Sequence, residues 1–305
     1  MNKWRRRLLM GAGSLVALLL LVLAVVYGVS ESRLRREYQI SGRALAVTTD
    51  PAQVARGKHL ATAVAKCADC HGSNLGGKEF INAGMLGVVY ASNLTAGKGG
   101  VLPRYTDAQL ERAIRHGVRA DGRGLLIMPS QEFNALSDDD AAAIIAYLRS
   151  LRPVDNVLPK AKVGPLGRAL FVAGKLPLLP AEDIDHAAAA PRTAPPLGAT
   201  REYGAYMAQV GGCTGCHTPT LAGEVKSAIP DHPPAANITP KGIGSWTEAD
   251  FFKAMRTGVR PNGTRINEAM PWKSVGLLSD TELRALWMYL QSVPAAEPKG
   301  AKAKA

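Results

Sequence analysis

The chain has 305 residues, a net charge of +12, and 47% hydrophobic but only 6% aromatic residues. That length suggests two domains of about 100–200 residues plus extras, and the hydrophobic content excludes wholesale disorder. The basic residues are scattered apart from Arg5–Arg7, the short cluster Arg33, Arg35 and Arg36, and a Lys-rich tail at 299–304. No basic stripe is interleaved with aromatics, which argues against a nucleic-acid partner.

Lys3 and Arg5–Arg7 precede an uncharged run of 22 residues, Leu8–Val29. As a helix it would be about 33 Å long, enough to cross a bilayer core of about 30 Å. The competing reading is a cleaved signal segment, but signal cores are usually about 7–15 residues and no clean A-x-A site follows. Residues 1–30 are therefore expected to form a membrane anchor. Basic residues flank both ends, so charge favours a cytoplasmic N-terminus only weakly.

The rest of the chain repeats. Cys67-Ala68-Asp69-Cys70-His71 recurs as Cys213-Thr214-Gly215-Cys216-His217. Asn93-Leu94-Thr95 recurs as Asn237-Ile238-Thr239, and Gly117-Val118-Arg119 as Gly258-Val259-Arg260. Met128-Pro129, Leu136-Ser137-Asp138 and Tyr147-Leu148 recur as Met270-Pro271, Leu278-Ser279-Asp280 and Tyr289-Leu290. The offset drifts only between 146 and 141 residues. Six landmarks in one order define two homologous domains, 45–152 and 200–294. Between them, 153–199 carries eight prolines from Pro153 to Pro196 and cannot be one helix. It reads as an ordered crossover, with Leu166–Leu179 apolar enough to lie along a domain surface, followed by an Ala/Pro linker. Residues 295–305 read as a disordered tail.

Each domain reads as all-α. Ala52–Lys66 and Glu202–Val210 are helix-compatible. Thr106 and Thr247 open helices that end at Gly117 and Gly258. Ser137 and Ser279 cap acidic first turns that begin helices 138–151 and 280–293. No strand shows clear alternation.

The four cysteines form two Cys-x-x-Cys pairs with none left over. Each pair is followed at once by a histidine, the attachment signature of c-type haem. Two cysteines three apart on a helical turn reach the two vinyl groups of one porphyrin, and the adjacent histidine faces the iron. Zinc would bring the two pairs within about 15–20 residues of each other. Disulfides are possible in an exported chain. Neither explains the two histidines. Cys67, Cys70, His71, Cys213, Cys216 and His217 are thus candidate attachment residues for two haems. Attachment of this kind takes place outside the cytoplasm, which places both domains on the periplasmic side of the inner membrane.

A second axial ligand must come from elsewhere. Of eight methionines only Met128 and Met270 occupy matched positions, both before proline, 57 and 53 residues after His71 and His217. They are the candidate sulfur ligands, with the prolines stiffening the loops. His116 matches Thr257 and ends a helix; it and His59, His186 and His232 read as surface residues. Asn93 and Asn237 either bond haem propionates or fix a turn. Arg119 and Arg260 either pair with propionates or are solvated charge. Trp246, Trp272 and Tyr105 pack on a porphyrin edge or in the core.

This order of motifs resembles the cytochrome c subunits of bacterial membrane-bound dehydrogenases acting on alcohol, gluconate, sorbitol or aldehyde. The resemblance covers most of 52–152 and 200–293. It implies tandem class I cytochrome c domains with axial pairs His71/Met128 and His217/Met270, a dehydrogenase donor, and a quinone or another cytochrome as acceptor. Members of the alcohol and gluconate type commonly carry three haem motifs and a C-terminal anchor, whereas this chain has two motifs and an N-terminal apolar run. An electron-entry subunit of a haem–copper oxidase is the alternative. A dihaem peroxidase needs an open iron site, which a methionine in each domain opposes.

Overall fold

The computed structural model describes residues 3–188, 192–226 and 233–300. Helix α1 (Lys3–Leu34) contains the apolar run and is long and apolar enough to cross a membrane. The first repeat follows with α2 (Pro51–His59), α3 (Cys67–His71), α4 (Asp107–His116), α5 (Ser130–Phe133) and α6 (Asp138–Ser150). A crossover carries α7 (Pro165–Val172). The second repeat runs α8 (Arg201–Val210), α9 (Cys213–His217), α10 (Pro240–Ile243), α11 (Glu248–Thr257), α12 (Trp272–Val275) and α13 (Asp280–Ser292).

The expected caps are present. The Thr106 and Thr247 hydroxyls each accept from the N3 backbone N–H, and Gln109 and Asp250 reach back to close capping boxes. Gly117 and Gly258 end these helices at φ 64° and 69°, where a side chain would be strained. Ser137 and Ser279 accept from the N–H groups of Asp140 and Glu282.

In each repeat the first and last helices cross backbone on backbone. A Cβ on Gly57 would lie 1.8 Å from the Ala143 carbonyl oxygen, and one on Gly204 would lie 2.0 Å from that of Ala285. These glycines are therefore equivalent. Ten positions separate Gly57 from Cys67, but nine separate Gly204 from Cys213. The extra residue is absorbed as a π-helical turn, Leu60–Val64, continuing from α2. Arg56 and His59 thus correspond to Tyr203 and Tyr206.

The two repeats share one hydrophobic core, from Leu60 and Ile145 in the first to Tyr203 and Leu283 in the second. A buried polar network ties them together. Tyr206 Oη donates to Asp140 Oδ2 at 2.7 Å, and His59 Nε2 lies 2.7 Å from Glu282 Oε2. Arg56 bridges both carboxylates and the Tyr203 hydroxyl.

The all-α expectation holds, with one small addition. The fold is mostly helical but carries a three-stranded antiparallel sheet of β1 (Lys78–Asn82), β2 (Gly87–Ala91) and β3 (Lys162–Val163). β1 is mostly exposed and broken by a bulge between Glu79 and Ile81, so no polar–apolar alternation betrays it. The third strand comes from the crossover, beyond the reach of local pattern.

The apolar crossover packs as expected. Phe171, Leu178 and Leu179 form a small buried cluster with Leu34 from α1 and Leu126 and Ile127. Arg33 stacks on Phe171 and pairs with Glu182, while Arg168 reaches Ser30 and Glu31. At the other end, residues 295–300 are tied down rather than loose. Ala296 accepts from Asn237, Glu297 pairs with Lys241, and the Lys299 backbone bonds Gly223 and Val225. Residues 301–305 lie outside the described residues.

Candidate functional site

Both Cys-x-x-Cys-His segments are single helical turns, α3 and α9. Each opens on a left-handed residue, Lys66 at φ 52° and Gly212 at φ 67°, which turns the chain sharply out of the preceding helix. None of the four cysteines is paired in a disulfide. Burial pushes the Cys67 thiol up to about 12 and raises Cys70 and Cys213.

The two histidines are held alike. His71 Nδ1 lies 2.7 Å from the Ser92 carbonyl oxygen, and His217 Nδ1 lies 2.7 Å from that of Ala236. A carbonyl can only accept, so Nδ1 carries the proton and Nε2 keeps its lone pair. Burial keeps both imidazoles below their ordinary pKa, against the pull of those carbonyls. The tautomer and ring orientation are thereby set for a ligand at Nε2.

Met128 and Met270 are both half-buried against the shared core. The prolines after them adopt near-identical angles, φ −77° with ψ 55° at Pro129 and ψ 50° at Pro271. Ser130 N–H donates to the Met128 carbonyl at 2.8 Å, and Trp272 N–H to that of Met270 at 2.7 Å. These are matched inverse γ-turns. The first is propped from the crossover, where Ile127, at φ 62°, donates its N–H to the Leu178 carbonyl.

The Asn-x-Thr pairs fix turns. Asn93 Oδ1 accepts from the N–H and hydroxyl of Thr95, and its Nδ2 donates to the Val154 and Asn156 carbonyls. Asn237 does the same with Thr239 and Ala296. Each knot ties the loop after the attachment turn to the chain leaving the repeat's last helix. Arg119 pairs with Asp121, and Arg260 donates to the Arg265 carbonyl. Tyr105, Trp246 and Trp272 are half-buried against the core.

Two histidine readings need correction. His116 is only 3% exposed, with Nδ1 3.1 Å from His186 Nδ1. Burial first, then His186 and nearby arginines, bring it down to about 4. His59 belongs to the network between the repeats. A residue-by-residue match with the second repeat conceals both, because Thr257 stands at one position and a tyrosine at the other. His232 lies outside the described residues.

The decisive observation is a likeness to known proteins. The cytochrome c family profile matches residues 54–152 and again 202–294. The chain belongs to the cytochrome c family. It is 30% identical over 278 residues to the fructose dehydrogenase cytochrome subunit of Gluconobacter japonicus, across 81% of this chain and 54% of that one. It is 28% identical to the alcohol dehydrogenase (quinone) cytochrome c subunit of Gluconacetobacter polyoxogenes, across 85% of this chain and 60% of that one. A stretch of the gluconate 2-dehydrogenase cytochrome c subunit of Pantoea cypripedii is 36% identical over 94 residues, covering 28% of this chain and 21% of that one. The chain thus spans little more than half the length of the first two relatives.

Two cytochrome c domains mean two covalently bound haem c groups. The donor set fits them. Each turn offers two thiols three residues apart and a neutral histidine with Nε2 free of its carbonyl bond. Trp272, two residues after Met270 in the chain, keeps its buried Nε1 N–H without a protein partner, a donor open to an acceptor on a bound group. Among the described residues no three His, Cys, Asp or Glu side chains converge as a metal site, so the zinc reading has no support.

Proposed function

We propose that this chain is a membrane-anchored dihaem electron carrier that takes electrons from a membrane-associated dehydrogenase and passes them to a quinone or another cytochrome. The observation that carries the reading is the duplicated arrangement of carbonyl-pinned histidine and Met-Pro turn. Cys67 and Cys70 hold one haem by thioether bonds, and Cys213 and Cys216 hold the other. His71 and Met128 would hold the iron of the first, His217 and Met270 that of the second. A bound haem c supplies one-electron iron chemistry.

The protein residues set what that chemistry can be. Ser92 and Ala236 hold the histidines in the tautomer that ligates. The γ-turns at Pro129 and Pro271 present sulfur from stiff loops, so each bound iron would have two protein ligands and no position open to peroxide. Thioether ligation also favours the reduced state relative to a second histidine. Both sites therefore exchange electrons and leave substrate chemistry to a partner. The printed names of the relatives, subunits of fructose and alcohol dehydrogenases, support a dehydrogenase as that partner.

α1 serves as a single-pass anchor, with the haem domains on the periplasmic face. The packing of Ser30, Glu31 and Arg33 against the crossover supports retention of α1, since cleavage before residue 34 would strip contacts from the folded domain.

Co-purification tests the partner, and intact mass tests the attachment. Protein extracted gently from membranes should bring a dehydrogenase subunit with it and should weigh two haems more than the polypeptide. Recovery with a terminal oxidase instead would favour the oxidase subunit reading. Protease added to intact spheroplasts should digest the haem domains; protection until lysis would reverse the topology.

A further inference from the structure

The left-handed residue opening each attachment turn differs between the repeats. The second repeat uses Gly212, which adopts φ 67° at no steric cost. The first uses Lys66 at φ 52° and ψ 38°, a conformation that strains a non-glycine residue. A glycine would satisfy the backbone equally well, so the lysine side chain calls for an explanation.

Lys66 Nζ donates to the Val64 carbonyl at 2.8 Å and to the Gly211 carbonyl at 2.6 Å. Gly211 belongs to the second repeat, two residues before Cys213. The Lys66 amine therefore sits between the two attachment turns, where burial lowers its pKa and the nearby Asp69 carboxylate opposes the loss of charge. Two further contacts flank it. Glu132 Oε2 lies 3.5 Å from Thr214 Oγ1, inside the second turn, and Ser274 Oγ lies 3.3 Å from Asp69 Oδ1, inside the first. Glu132 and Ser274 are equivalent positions, each four residues after its methionine. Each repeat's methionine-loop helix thus braces the other repeat's attachment turn about a pseudo-two-fold. Lys66 is the asymmetric element at its centre.

We propose that Lys66 is a positioning residue for electron exchange between the two haems, fastening one attachment turn to the other and placing a positive charge between the two turns. This rests on the reading of Cys67–His71 and Cys213–His217 as haem-attachment turns. The exchange moves one electron: one iron passes from ferrous to ferric as the other passes from ferric to ferrous, and no proton is released. A positive charge between them stabilises the reduced state of both, since reduction removes one unit of positive charge from each centre. The hydrogen bond to Gly211 ties the two attachment turns together.

The test uses the full chain in detergent or nanodiscs, with Lys66→Met, Lys66→Gly and Lys66→Arg. The readouts are the two midpoint potentials by redox titration, and the magnetic dipolar coupling between the oxidised haems. Lys66→Met should lower both midpoints together and broaden the inter-haem distance distribution. Lys66→Gly should lower both midpoints while denaturing later than Lys66→Met, because it relieves the left-handed strain. Lys66→Arg should keep both midpoints near the wild type. Unmoved midpoints with an unchanged distance distribution, or a shift confined to one haem, overturn the role of Lys66. A wild-type mass with fewer than two haems overturns the attachment-turn reading itself, so the two failures are distinct.

Discussion

Glu282 and His59 meet across the boundary between the repeats, with Oε2 2.7 Å from Nε2. The counterpart pair, Tyr206 and Asp140, meets at the same distance. Each acidic residue stands third in its helix, so it closes a helix start and a domain boundary at once. Burial alone would raise the Glu282 carboxyl, but the hydrogen bonds from His59 and from Ser279 outweigh it and bring it down to about 2.

That depression links stability to acid. A carboxylate titrating lower folded than unfolded stabilises the fold above its ordinary value, near 4.5, and the contribution fades as pH falls toward about 2. Its full size is about 3 kcal/mol. Denaturant titrations from pH 2 to 7 should show this loss in the wild type and a flatter profile in Glu282→Gln. Glu282→Gln should also be less stable at pH 7, and an equally steep acid limb in the variant would remove Glu282 as its source.

His116 gives a second pH dependence in a different window. It titrates at about 4 when folded, against 6.5 ordinarily, so the unfolded chain takes up its proton first. Stability from this group is complete above about 6.5 and declines between 6.5 and 4. His186, Arg115, Arg192 and Arg112 face it and all oppose its charge. His116→Gln should flatten stability across that interval and leave the lower limb from Glu282 in place.

The helix crossings predict steric failure. Gly57→Ala or Gly204→Ala would place a Cβ within 2.0 Å of a backbone oxygen, which no side-chain shift relieves. Each should cost about 3 kcal/mol, read as a fall in the denaturation midpoint with both haems still attached, or as loss of haem incorporation if folding fails.

Much of the fold was legible because the chain contains it twice. The motif pairs and their Thr, Ser and Gly caps carry local chemistry that survives in isolation. The network between the repeats was not legible. His59 and Tyr206 differ in type, and the π turn at Leu60–Val64 shifts their register by one residue, so the alignment that revealed the repeat concealed their equivalence. Asn93 was visible but ambiguous. Only the structure shows its amide engaged by Val154 and Asn156, which assigns it to the turn. Asn93→Ala should accordingly cost about 2 kcal/mol, since it strands buried partners, without moving either midpoint.

The two methionines proposed as ligands should act independently. Met128→His or Met270→His should lower one midpoint and leave the other nearly in place, because each serves its own domain. A redox titration of each variant resolves this, and a matched fall in both midpoints would contradict the assignment.

Two sites with His/Met ligation, both acting as carriers, should give the oxidised wild-type protein a weak near-infrared sulfur-to-iron band. Its expected intensity equals two sites per chain. An intensity equal to one site would mean that one haem is open or histidine-ligated, and would contradict the carrier reading.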